Sequence, residues 1–367
     1  MRLGIAGIGK IAGDYIELIC TGRVPGVVLT ALSSRNAEHL RQVQSRWPVL
    51  AKAALYTDYG EMLHSGKLDA VLICTPHAQH PAMALEALEC GLPVLLEKPV
   101  GIDRTALAAV EAALAAAPQR TCGVMYVRRM SPCWRTVKQL VEAGTLGELV
   151  RATWVITDLY RTQAYYASGS WRGTWRSEGG GLLMTQASHQ LGLLQWLCGM
   201  PDAVYARCAS AGRAIEVENE ATLLLHYPNG AHGQFIASAH ESPGTNRLEL
   251  CGTKASILVE NDRDVTVARL ETDEREHAEH CPDAFTKVPQ HMEKIHFDSA
   301  DNMAQQAAMI ADFAAAVQEG RAPACTFAQG LNSLEIIRAA YLSDWTAAES
   351  SVPPDAARFE TFYQKKS

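Results

Sequence analysis

The chain has 367 residues, 48% of them apolar and 20% charged, with a formal net charge of −7. That length exceeds what one hydrophobic core usually serves and predicts two domains. The acidic balance, with no Lys/Arg block before the terminal QKKS, argues against a nucleic-acid partner. No long apolar run and no signal-like start occurs, so no membrane span is expected and the protein is expected to be cytoplasmic.

In chain order, RLGIAG, VVLTAL, DAVLIC and PVLLE are short and rich in Val, Ile and Leu, and amphipathic stretches such as NAEHLRQVQSRW and PAMALEALECG separate them. This alternation predicts an α/β fold whose first domain, residues 1–122, is a doubly wound parallel sheet. From residue 123 the rhythm changes. A helix near 131–143 leads to the long strand-like GELVRATWVITDLY, an aromatic loop, a helix over about 180–198 and a run of strands around 203–260. HYPNGAHGQF reads as a hairpin. Consecutive strands favour an antiparallel sheet in a second domain, 123–367, whose late helices, about 303–319 and 329–348, would cover that sheet or return to the first domain.

Ten cysteines are scattered with no C-x-x-C pair, which suits reduced core thiols. His277, His280 and Cys281, with His291 and His296 further on, match no zinc spacing, so no metal is expected.

Five stretches carry chemistry. The first is Gly7-x-Gly9-x-x-Ala12, directly after the first strand and before a helix, the pattern that lets a backbone turn approach a pyrophosphate; Lys10 and Ile11 belong to the same turn. The second strand ends in Ser34-Arg35, where NAD binders place an acidic residue. A guanidinium and a hydroxyl there favour NADP over NAD, whereas the blander reading has Asn36 capping the next helix and Arg35 in solvent. The third is CTPHAQHP, which puts Thr75, Pro76, His77 and His80 at a strand exit on the cofactor side. LPVLLEKPVG then delivers Glu97 and Lys98 to the end of a buried strand, where open α/β sheets bind ligands. The fifth, YYASGSWRGTWRSEGGGLLMTQASH, has Trp171, Arg172 and Trp175 in an aromatic loop. Its triple glycine would let the chain approach something flat, and Thr185 and His189 would follow at i,i+4 on one helical face.

Taken together, GIGKIA, TPHAQHP, EKP and GGGLLMTQASH resemble the Gfo/Idh/MocA oxidoreductases, and GVMYVRRMSPCWRTVKQLVEAGTLGEL and NRLELCGTKASILVEND extend the resemblance over nearly the whole chain. The resemblance implies a Rossmann domain plus an α/β domain with a large open-faced, mostly antiparallel sheet that often forms a homodimer or homotetramer interface. It implies NAD(P)-dependent oxidation of a ring hydroxyl of a sugar, glycoside or related polyol. It also implies that Lys98 and His189 are catalytic, with Lys98, Tyr126, Arg128, Trp171, Arg172, Trp175, Thr185 and His189 around the substrate. Either Lys98 or His189 would serve as the base. Two departures matter. Inositol dehydrogenases carry an aspartate where this chain has Thr185, and many relatives carry another where it has Gly192. Both argue against inositol as substrate, and the WRGTW loop looks like subgroups acting on glycosides or modified pyranoses. Two rival readings stay open: a glycoside-cleaving relative that oxidises its substrate only transiently, and a non-enzymatic dinucleotide-sensing regulator.

Overall fold

The computed structural model of the chain describes residues 1–169, 171–298 and 301–366. Two compact units emerge, Met1–Met130 with Asp301–Leu331, and Ser131–Ala300 with Asn332–Ser367.

In the first unit, strands β1 (Arg2–Ala6), β2 (Val28–Ser33), β3 (Ala54–Tyr56), β4 (Ala70–Ile73), β5 (Val94–Leu96) and β6 (Cys122–Val124) form a six-stranded sheet. Its order is β3-β2-β1-β4-β5-β6 and every pairing is parallel. Every residue of β4 and of β5 is buried, as an unbroken apolar strand covered on both faces must be. Strand order reverses between β1 and β4, the crevice where open sheets of this kind take their ligands.

The division between units differs from the expected 122/123 boundary. Strand β6 completes the parallel sheet, and the turn Val127–Met130 packs against the helix Asn302–Glu319. Of the two courses open to the late helices, Asn302–Glu319 takes the return. Its Met309, Ile310 and Phe313 join Tyr15, Ile16 and Met125 in one apolar core. The helix Phe327–Thr346 starts in the first unit's share of the chain and ends in the second's. Strand β3 was not anticipated: three half-buried residues carry no readable period.

The second unit contains β7 (Leu149–Ile156), β8 (Ala203–Ala209), β9 (Glu220–His226), β10 (His232–Ser238), β11 (Asn246–Gly252), β12 (Ala255–Glu260), β13 (Asp264–Leu270), β14 (Gln290–His296) and β15 (Ser350–Ser351). They form one nine-stranded sheet in the order β14-β13-β12-β11-β7-β10-β9-β8-β15. Strands β7 and β10 pair in parallel, and the other pairings described are antiparallel. The hairpin foreseen at Asn229-Gly230 joins β9 to β10, with His226 opposite His232. Alternation along β9 buries Ala221, Leu223 and Leu225 and turns Thr222, Leu224 and His226 outward, so one face is a core and the other is open. On the covered face Trp154 packs against Trp134 and Phe235 at ring separations of 5.1 and 6.2 Å. Among the described residues no helix is long and apolar enough to cross a membrane.

Phe313 is wholly buried in the first unit's core, so Phe313→Ala should lower the unfolding free energy by about 3–5 kcal/mol in urea melts. A loss below about 1 kcal/mol would contradict the placement of that helix in the core.

Candidate active site

The first unit builds a dinucleotide cradle where β1 ends. Gly7 has φ +86, and a Cβ there would lie 2.7 Å from the Thr75 side chain and 2.8 Å from the Cys74 carbonyl carbon. Only glycine fits this crossing of the β1 and β4 exits. Gly9 has open space where a side chain would be, and it begins the helix Lys10–Cys20 without any side-chain cap. The first-turn amides of Lys10, Ile11 and Ala12 therefore face outward with the positive end of the helix dipole, as a pyrophosphate requires, while Ala12 is buried against the sheet. The residues present thus fit a dinucleotide. His39, which sequence reasoning passed over, braces this turn: its Nε2 lies 3.0 Å from the Ile8 carbonyl oxygen. At the end of β2, Ser34 is half-buried and its hydroxyl oxygen accepts from the Asn36 amide at 3.4 Å, while Arg35 is exposed. Asn36 caps the helix Ala37–Arg46 by accepting from the His39 amide.

Strand β5 ends its ladder with the Glu97 amide donating to the Ile73 carbonyl at 3.0 Å. The chain then leaves the sheet, and its polar groups are taken by side chains. The Tyr15 hydroxyl donates to Glu97 Oε1, and the Lys98 amide donates to Oε2 at 3.0 Å. Burial pushes the Glu97 carboxyl above its usual range, while the Lys98 charge and the bonds from Tyr15 and the Lys98 amide pull it back. Lys98 itself is half-buried. Two expectations change here. Glu97 is buried with its oxygens committed to Tyr15 and Lys98, and His80 has no exposed surface and sets its ring nitrogens against two carbonyl oxygens. Both hold main chain in place where a cofactor contact was expected. Thr75 and His77 are half-buried at the β4 exit and Pro76 is exposed, with the His77 ring 5.8 Å from that of His80. Tyr126 also differs from expectation: at 2% exposure it is a core residue with no face for a sugar, whereas Arg128 is half-buried.

In the second unit the triple glycine approaches protein. A Cβ on Gly180 would lie 2.2 Å from the Tyr341 hydroxyl, and one on Gly181 only 1.9 Å from the Glu218 carbonyl oxygen. Glu218, which had no sequence signal, is the anchor. Its Oε2 accepts from the Gly181 amide at 2.9 Å, and its Oε1 accepts from the Leu183 amide at 2.9 Å and the Tyr341 hydroxyl at 2.8 Å. The expected continuous helix over 180–198 breaks into Leu182–Thr185 and Ser188–Cys198, because the Ala187 amide reaches back to the Leu182 carbonyl, one residue further than an α-helix allows. Thr185 and His189 thus sit on two successive helices, both half-buried. The Thr185 hydroxyl donates to the Gly181 carbonyl at 2.8 Å and lies 2.6 Å from Gln186 Oε1. Gln186 Nε2 lies 2.9 Å from the Tyr165 hydroxyl, which accepts from the Arg172 guanidinium at 2.6 Å. Arg172 is further fixed by the Trp171 and Tyr165 rings, 4.3 and 4.4 Å from its guanidinium carbon.

Trp171 is exposed, but Trp175 is a core residue. Its ring packs edge-on against Tyr341 and its Nε1 donates to the Glu216 carbonyl at 3.0 Å, so the expected sugar contact falls away. Beside this loop a cleft of about 530 Å³ is lined by residues that include Gln163, Tyr166, Arg172, Thr174 and Glu216. The histidines weighed for metal separate into other contacts, His291 with Glu271 at 3.1 Å and His296 with Asp264 at 2.6 Å.

Burial raises the Glu218 carboxyl from 4.5 to about 7 against the pull of its hydrogen bonds. The folded chain then holds a proton that the unfolded chain releases near the ordinary value, so this group's contribution is full below about pH 4.5 and declines as pH rises to about 7, by on the order of 3 kcal/mol. Glu218→Gln cannot titrate. The stability difference between wild type and variant should therefore shrink across that window in denaturant melts; a pH-independent difference would contradict the assignment.

Comparison with known proteins gives a consistent result. Residues 1–127 match the model of an oxidoreductase family with an NAD-binding Rossmann fold, and residues 134–258 match the GFO/IDH/MocA C-terminal domain. An uncharacterized oxidoreductase, YrbE, of Bacillus subtilis (strain 168) is 28% identical, covering 72% of this chain and 75% of its own. The trans-1,2-dihydrobenzene-1,2-diol dehydrogenase of Bos taurus is 27% identical over 69% of this chain and 72% of its own. The WlbA dehydrogenase of Bordetella pertussis, solved in complex with NADH and UDP-GlcNAcA, shares the fold with a TM-score of 0.77 at 24% identity, covering 97% of this chain and 99% of that one. With both halves matched in order, the chain belongs to the Gfo/Idh/MocA family of oxidoreductases.

Proposed function

We propose that the protein is an NAD(P)-dependent dehydrogenase acting on a ring hydroxyl of a sugar, glycoside or related polyol, and that NADP is its preferred cofactor. The observation that carries the reading is Lys98: a half-buried lysine at the end of a core strand, its own amide clamped by Glu97, in the same unit as an uncapped glycine turn. The bound dinucleotide supplies the acceptor for the hydride that leaves the substrate carbon. Gly7, Gly9, Lys10, Ile11 and Ala12 hold its pyrophosphate, and Ser34 and Arg35 hold the adenosine 2′-phosphate.

Oxidation of a CH–OH carbon releases a proton as well as a hydride. His189 takes the proton from the reacting hydroxyl, and Lys98 donates a hydrogen bond to the same oxygen, stabilising the negative charge that grows on it. Thr185, Arg172 and Trp171 contact the sugar. The outward face of the nine-stranded sheet, where Tyr205 and Leu224 are exposed cross-strand partners, serves as the homo-oligomer interface.

Lys98→Met and His189→Ala should each lower kcat by about 10²- to 10⁴-fold, with dinucleotide affinity retained. Turnover above a tenth of wild type in Lys98→Met would refute its role. For the cofactor, a charged hydrogen bond contributes about 1.5–3 kcal/mol, so Arg35→Ala should weaken NADP(H) roughly ten- to a hundredfold and leave NAD(H) nearly unchanged. Ser34→Asp should invert the preference by repelling the phosphate. Calorimetric titration of the wild type settles the premise; tighter binding of NAD(H) than of NADP(H) would overturn the NADP assignment.

A further inference from the structure

His80 is a buried titratable side chain of the first unit with both ring nitrogens against main chain. It begins the helix His80–Glu89 with no exposed surface, its Nδ1 2.8 Å from the Pro99 carbonyl oxygen and its Nε2 2.7 Å from the Thr75 carbonyl oxygen. Both carbonyls are acceptors only. Pro99 has no amide hydrogen, so its carbonyl is the one polar main-chain group it offers, and it is buried. Left without a donor, such a group costs more than the hydrogen bond itself is worth. The segment is also pressed onto the start of the same helix: a Cβ on Gly101 would lie 2.6 Å from Pro81 Cγ.

The geometry points to His80 as the positioning residue of Lys98: a proton on Nδ1, donated to the Pro99 carbonyl, fixes the Pro99–Val100 peptide one residue beyond the lysine, while the Glu97 carboxylate fixes the amide that precedes it. The ammonium is then aimed by main chain anchored on both sides instead of by its own flexible stem. The second ring nitrogen lies 2.7 Å from the Thr75 carbonyl oxygen, which also only accepts, so it extends the clasp to the β4 exit only when the ring carries both protons. Burial and the neighbouring Lys98 charge lower the affinity of His80 for a second proton, and the two carbonyls raise it. Nδ1 is where the inference requires the first. This rests on the reading of Lys98 as the group that acts on the substrate oxygen.

Two near-isosteric variants separate positioning from general damage. In His80→Asn the amide nitrogen can take the place of Nδ1 and keep the Pro99 bond. In His80→Gln it takes the place of Nε2, facing Thr75 and releasing Pro99. On full-length protein with saturating dinucleotide, His80→Gln should lose roughly ten- to a hundredfold in kcat with KM and dinucleotide affinity little changed, and His80→Asn should retain distinctly more kcat than His80→Gln. Equal losses in the two variants, or wild-type kcat in His80→Gln, would overturn the inference. Lys98→Met in the same assay keeps the two readings apart. If it turns over normally, the role of Lys98 falls; if it is inactive while His80→Gln is normal, only the role of His80 falls. Should either variant fail to fold, imidazole nitrogen-15 shifts of the wild-type protein decide. A hydrogen on Nδ1 of His80 supports the clasp, and one on Nε2 alone contradicts it.

Discussion

The bond from the Tyr15 hydroxyl to the buried Glu97 carboxylate is the contact on which the first unit's chemistry depends. Tyr15 lies in the helix that opens at Gly9, and Glu97 is the last residue before Lys98, so one hydrogen bond ties the phosphate cradle to the strand that delivers the lysine. Removing a carboxylate from water is expensive, and the cost is offset only where donors surround it. Here the Tyr15 hydroxyl, the Lys98 amide and the Lys98 charge provide that offset. The phenol is itself buried, and its ionisation is suppressed first by burial and then by the facing carboxylate, so it remains a donor.

The second unit repeats the device with other residues. Glu218 is buried and takes the Tyr341 hydroxyl together with the Gly181 and Leu183 amides, which holds the triple glycine that leads to Thr185 and His189. In each unit a candidate catalytic side chain follows a segment whose main-chain amides are satisfied by an enclosed carboxyl. Such an anchor fixes direction better than packing alone, because hydrogen bonds are short and angle-dependent whereas apolar contacts are not. Arg172 gains the same kind of fixity from the Tyr165 hydroxyl and two aromatic rings, which leaves Trp171 as the exposed aromatic of the loop.

Part of this was readable from the chain alone. Close backbone approach demands glycine, so Gly7 and Gly9 announced the cradle; turn chemistry announced the hairpin at Asn229-Gly230; the cap at Asn36 was the blander of two readings of that stretch, and the cap forms. Glu218 was invisible because its partners Gly181, Leu183 and Tyr341 stand 37, 35 and 123 residues away. The triple glycine was read as room for a ligand, since sequence does not say which atom fills the space; that atom is protein. Trp175 looked like a sugar platform for a related reason: an aromatic beside arginines has the same local pattern whether its ring faces a ligand or a core, while Tyr126 was placed at the substrate by the family resemblance alone. The return of the helix Asn302–Glu319 was left open because periodicity marks an apolar face without naming the core that receives it.

Removal of a hydride and a proton from a ring hydroxyl can be read in a panel of pyranoses, glycosides and cyclitols incubated with NADP+ or NAD+, followed by the absorbance of the reduced nicotinamide and by chromatography of the sugars. Reduced cofactor should appear in one-to-one ratio with a ring ketone on at least one pyranose or glycoside. Free sugar released without net reduction, or tight dinucleotide binding with no turnover across the panel, would contradict that chemistry.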